Sequence, residues 1–61
     1  MEKIIKLFEI THDCKGSPVL VLAESVEDAI TKFNKYYDGD YYVMAGNITA
    51  CVLKHTFEVI D

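Results

Sequence analysis

Only the stretch Ser25 to Tyr37, SVEDAITKFNKYY, repeats its apolar residues at a helical spacing, and the segments on either side of it read as strands. One helix can cover one face of a sheet and no more, so this stretch constrains the fold more than any other feature. Ser25 is suited to be the N-cap, because its hydroxyl can accept an orphan backbone N–H of the first turn. Asp28 stands where a capping box places its carboxylate. Val26, Ala29, Ile30, Phe33, Tyr36 and Tyr37 fall on one stripe, with Glu27, Thr31, Lys32 and Lys35 on the other. The acids near the start and the lysines further along agree with the helix dipole. Gly39 can supply the left-handed residue that ends the helix.

Lys3 to Thr11, KIIKLFEIT, reads as a first strand with Ile4, Phe8 and Ile10 on one face and Ile5 and Leu7 on the other. His12 to Pro18, HDCKGSP, is dense in turn formers and should bend the chain into a hairpin. Val19 to Ala23, VLVLA, is apolar without interruption, the pattern of a central strand covered on both faces. Beyond the helix, Gly46-Asn47 marks a second turn. Ile48 to Leu53 then reads as a strand with Ile48, Ala50 and Val52 on one face and Cys51 and Leu53 on the other. Lys54-His55 either interrupts it, leaving Phe57 to Ile60 as a fourth strand, or bends one long strand. The expected fold class is α+β: a single domain over residues 1–61, ordered β-β-α-β-β, with one helix packed on one face of a small three- to four-stranded sheet. If the second and third strands are parallel, the helix is their right-handed crossover.

A chain of 61 residues in which 51% are hydrophobic has little interior to hide them in. One sheet face has no helix to cover it, yet several strands are apolar on both sides. An uncovered apolar face of that kind marks an interface, so we expect a homodimer formed through the free sheet face or an exposed edge strand. Ten acids against six basic residues give a net charge of −4, and every basic residue is Lys. Without Arg forks or a basic patch, direct nucleic-acid binding is not expected. An acidic surface can instead attract a basic protein partner. No segment is apolar for long enough to be a signal-peptide core or a membrane span, which leads us to expect a cytoplasmic protein with Cys14 and Cys51 reduced.

Chemistry-bearing clusters are few. His12-x-Cys14 with Cys51-x-x-x-His55 has ligand types that suit zinc, but two strand residues four apart are ~13 Å apart at the usual rise. Asp38-Gly39-Asp40 opens like a calcium loop and then has Tyr42 and Thr49 where oxygen ligands should follow. We therefore expect no metal and no cofactor. Ser17, Ser25, His12 and His55 fit no catalytic pattern, no glycine-rich phosphate loop occurs, and a single-layer fold this small is expected to lack a pocket of ~300 Å³, so an enzyme is not expected. The candidate contact surface is instead Tyr36-Tyr37-Asp38-Gly39-Asp40-Tyr41-Tyr42, because tyrosine supplies rigid amphipathic area at interfaces. Tyr37 and either Tyr41 or Tyr42 are expected to be exposed, with Asp38 and Asp40 between the pairs and Glu24, Glu27 and Asp28 at the other end of the helix.

A Lys-bearing first strand, then LVLAESVEDAITKF, then ITACVLKHTFEVID, resembles the short β-β-α-β-β proteins of bacteriophages and mobile elements over nearly the whole chain. The resemblance implies the same small α+β fold and carries over no site residues. Some small acidic phage proteins inhibit host defence effectors by occupying a basic nucleic-acid groove. Two readings result: a small non-catalytic interaction domain that self-associates through the free sheet face, and an acidic inhibitor of a basic host protein.

Overall fold

A computed structural model describes residues 2–14, 16–40, 43 and 46–60. Three strands and one helix follow in the order β1 (Glu2–His12), β2 (Val19–Ala23), α1 (Val26–Tyr36) and β3 (Ile48–Ile60). The sheet order is β2-β1-β3, with both pairings antiparallel. β2 and β3 therefore run in the same direction with β1 between them, and α1 is part of the crossover that joins them.

This arrangement corrects one expectation and selects between two others. The uninterrupted run Val19–Ala23 is an edge strand, not a central one, and Leu20 and Leu22 project into solvent. The segment from Ile48 to Ile60 is one strand, so the sheet among the described residues has three strands and no fourth. Lys54-His55 does perturb it. Leu7 lies opposite His55 while Phe8 lies opposite Leu53, which leaves Lys54 as an extra residue in a β-bulge. A second shift passes over Thr49, so Ile48 joins Cys51 and Leu53 on the helix side, and only Ala50 and Val52 keep to the other. Each bulge reverses the phase of alternation, and this is why a period-2 reading placed Ile48 on the wrong face.

α1 forms where its capping residues place it. Ser25 Oγ accepts the Asp28 amide at 3.1 Å, and Asp28 Oδ2 accepts the Glu24 amide at 3.2 Å. The reciprocal bond thus reaches one residue further back than a standard capping box. Lys32 Nζ lies 3.4 Å from Asp28 Oδ2 and donates to the Leu22 carbonyl at 3.0 Å, tying the helix to the end of β2. At the other end the Asp38 amide donates to Lys35 O, and the Asp40 amide donates to Tyr37 O at 2.9 Å. Gly39 sits in that second turn with φ +89, a conformation that favours glycine.

The core is small: Phe8 and Ile10 of β1, Ala23 of β2, Ala29 and Phe33 of α1, and Val43, with His12 buried beside them. Val19, Val21, Tyr37, Ile48 and Cys51 pack around its margin. All of this lies at one end of the sheet. β2 stops at Ala23, opposite Lys6, so Glu2 to Ile5 and their partners Phe57 to Ile60 continue as a two-stranded ribbon beyond the helix. Ile4 shares the parity of Phe8 and Ile10 but lies on this ribbon, and it is exposed.

Candidate functional site

The face of the sheet away from α1 carries Leu20 and Leu22 from β2, Ile5 and Leu7 from β1, and Val52 and Phe57 from β3. The register sets Leu7 against Leu22, Ile5 against Phe57, and Glu9 against both Leu20 and Val52. Leu20 is 61% exposed, Leu22 54%, Val52 49% and Phe57 40%. These branched and aromatic side chains form an apolar surface that Glu9, between Leu20 and Val52, interrupts; its carboxylate lies 3.8 Å from Lys54 Nζ. His55 and Phe57 meet edge to face, with ring centroids 4.6 Å apart.

The tyrosine-flanked turn is arranged differently from the expectation. Tyr36, not Tyr37, is the exposed member of its pair, at 81%. Tyr37 lies four residues after Phe33 and so returns to the same side of the helix. Its ring centroid is 4.8 Å from that of Phe33, and it packs against the core. Tyr41 and Tyr42 lie outside the described residues. Asp38 and Asp40 are exposed, and Asp40 is partly used in the fold, its Oδ1 accepting the Val43 amide at 3.3 Å. Glu24 and Glu27 are exposed and Asp28 half-buried at the opposite end of α1. A helix of 11 residues separates the two acidic groups by about 16 Å at 1.5 Å per residue. The sequence-expected acids therefore form two groups rather than one patch. The amide of Glu24, with Lys32 nearby, holds the Asp28 carboxyl below its ordinary range.

The four zinc-type residues do not converge. Cys51 opposes Ile10 on the helix side, whereas His55 opposes Leu7 on the open side. Both cysteines are free thiols. A different trio does gather at the end of β1: His12, Asp13 and Cys14 hold their donor atoms within 4.8 Å of one another. Each group there already has work in the fold. His12 Nδ1 accepts the Cys14 amide at 3.0 Å, and Asp13 Oδ1 accepts the Asn47 amide at 2.8 Å. Nδ1 accepts that hydrogen bond through its ring lone pair, and it lies 3.5 Å from Asp13 Oδ1. The Asn47 amide, followed by the Cys14 thiol, holds the Asp13 carboxyl low. Desolvation and the Asp13 carboxylate push the Cys14 thiol up, leaving it a poor nucleophile and a poor ligand. Gly46 closes over the trio so tightly that a Cβ there would meet Asp13 Oδ1, His12 Cε1 and Cys14 Sγ. The cluster is a packed joint between the β1–β2 loop and the start of β3. Sequence reading treated His12 and Cys14 as metal candidates and missed this joint, whose one visible sign was the glycine of Gly46-Asn47.

Surface hollows are larger than a single-layer fold led us to expect. An open one of about 420 Å³ lies over His12, Asn34, Tyr37, Asp38 and Asn47, and another of about 410 Å³ beside Lys3, Glu24, Asp28 and Lys32. A third, about 270 Å³ and apolar, lies between Ile5, Leu22, Phe57 and Val59 on the open sheet face. No helix among the described residues is long and apolar enough to cross a membrane. Compared with protein families, with curated proteins and with solved structures, the chain matches none.

Proposed function

We propose that this chain is a small non-catalytic interaction domain that self-associates by packing the uncovered faces of two sheets together. The observation that carries the reading is the exposure of Leu20, Leu22, Val52 and Phe57 on that one face. Two magnitudes support it. The accessible surface is 4522 Å², against about 4000 Å² for a typical folded monomer of this mass. The radius of gyration is 12.5 Å, against about 10.5 Å for a compact chain of this length. A standard interface takes roughly 800 Å² from each partner, so a second copy supplies cover of the size that is missing. Sedimentation of the wild type should give an assembly, and Leu22→Glu should remove the face contact while circular dichroism shows the fold unchanged. A wild type that stays monomeric at high concentration would sink the proposal.

The acidic-inhibitor reading rests on the net charge of −4 and on the exposed Glu24, Glu27, Asp38 and Asp40. It has weaker support, because the acids fall into two groups at opposite ends of the helix. It requires binding to a basic protein that weakens steeply with salt and with replacement of these acids by Gln or Asn.

A further inference from the structure

We infer that β3 is a second, separate self-association surface, where two copies join edge to edge about a two-fold axis at Thr56. This inference goes beyond the face contact and does not depend on it. The starting point is the edge itself. β3 spans 13 residues, from Val52 to Glu58 every residue is exposed, and its substantial element contacts are with β1 alone. The opposite edge of the sheet is poorly suited to pairing. β2 has five residues, and its Leu22 carbonyl already accepts Lys32 Nζ.

An open edge invites any strand, and what selects a partner is its side-chain pattern. Reading outward from Thr56, the flanking residues match in chemistry: His55 with Phe57, Lys54 with Glu58, Leu53 with Val59, and Val52 with Ile60. In an antiparallel pair of copies centred on Thr56, each residue lies opposite the other member of its match. Thr56 then faces Thr56, and two His55–Phe57 contacts and two Lys54–Glu58 contacts form across the axis. Threonine pairs, aromatic pairs and opposite charges are the favourable cross-strand combinations. The placements agree with this register near the axis. His55 and Phe57 lie on the open face and already touch, so their counterparts complete a four-ring cluster there. Lys54 sits in the bulge and reaches Glu9 on the open side. Glu58 pairs with Ile4 on the helix side, so the Lys54–Glu58 contact requires the long lysine stem to swing across the strand from Glu9. The bulge limits the well-matched segment to Lys54–Glu58, which is about the mean length of a strand.

A lysine and a bulge in the middle of an edge ordinarily discourage pairing. Here they act as a filter. Within the chain Lys54 meets Glu9 at 3.8 Å; a second copy in this register offers it Glu58 as a further acid on both sides of the axis, and a strand without an acid there does not. No described residue forms an ion pair with Glu58 within the chain. The resulting sheet is continuous, in the order β2-β1-β3-β3-β1-β2, with the two apolar faces on the same side. Combined with face packing, two isologous contacts close into a four-copy assembly where their two-fold axes cross at right angles.

Charge reversal with sedimentation analysis is the test. Glu58→Lys and Lys54→Glu should each weaken edge association by roughly ten-fold or more, and the double variant should restore most of it. If the double variant stays as weak as the singles, this register is wrong. Thr56→Cys in a Cys14→Ser background should cross-link into a covalent dimer, because axis residues face each other at about 4.5–5.5 Å. Cross-linking no faster than Leu53→Cys in the same background overturns the proposal, and this arm needs no charge change. The two surfaces also fail separately. If the edge alone forms, the wild type is a dimer that Glu58→Lys disrupts and Leu22→Glu does not. If the face alone forms, the dependence is reversed and the edge inference falls.

Discussion

The two ends of the sheet have the same kind of sequence and opposite fates. At one end Phe8 and Ile10 lie under Phe33 and are almost completely buried. At the other end Ile4 and Ile60 lie on the same face of the sheet and remain exposed. The difference is length. α1 has 11 residues, about 16 Å of helix, whereas the structure is 39 Å along its longest axis. The covered end holds the fold together and the bare end remains available for contact. In a chain this short, apolar character alone does not separate core from interface.

The covered end should fail first and most severely. Phe33→Ala removes one of the two phenylalanines of the core, at a typical cost of about 3–5 kcal/mol. A domain of this length has roughly 3–9 kcal/mol to lose, so urea unfolding should find the variant largely unfolded or close to its midpoint in water. Next comes the joint at Gly46. Gly46→Ala has no room for its methyl group against His12, Asp13 and Cys14, and overpacking of this kind costs about 1–3 kcal/mol. A thermal melt should show a clear loss, and an unchanged midpoint would mean that the loop is not seated as described.

A smaller effect should appear with acid. The carboxyls of Asp13 and Asp28 are held below the ordinary value of 3.8 in the folded chain. A depressed folded pKa stabilises the fold at pH above 3.8, and that stability is lost as pH falls through the folded value. Denaturant midpoints should therefore drop below about pH 4, and Asp28→Asn should flatten part of that decline. A wild-type curve level down to pH 2 would count against both contacts. The smallest change is expected at the tip of the bare ribbon. Ile60 is 76% exposed, and Ile60→Ser should shift monomer stability by no more than about 0.5 kcal/mol. A larger loss would show that the ribbon contributes to the fold and would blur the contrast between the two ends.

Sequence reading succeeded where the physics is local. Ser25, Asp28 and Gly39 are set by bonds and turns within a few residues and Phe33 by its place in a helical period, so cap, stripe and stop are legible in the order of residues alone. It failed where placement depends on a distant partner. An apolar run such as Val19–Ala23 looks the same whether a neighbouring strand, a helix or another molecule covers it, so its place at the sheet edge was not readable. Ile48 was placed on the wrong face of β3 because the unpaired Thr49 beside it shifts the alternation. Tyr36 and Tyr37 were exchanged for a related reason. Both lie near one stripe, and only the i to i+4 return from Phe33 distinguishes them. The uncovered sheet face was legible as surplus apolar area, while the particular residues that line it were not.

The bulge at Lys54 has a consequence for how this chain can change its length. Almost anywhere else in a strand, gaining or losing one residue turns every following side chain to the wrong face. At Leu53-Lys54-His55 the strand already holds one residue more than its partner needs. Loss of Lys54 would let Leu53 and His55 follow each other in ordinary alternation, with Phe57 still on the open face and Cys51 still toward the helix. β3 thus contains a point of slack at which a deletion is absorbed and the pattern on both sides survives.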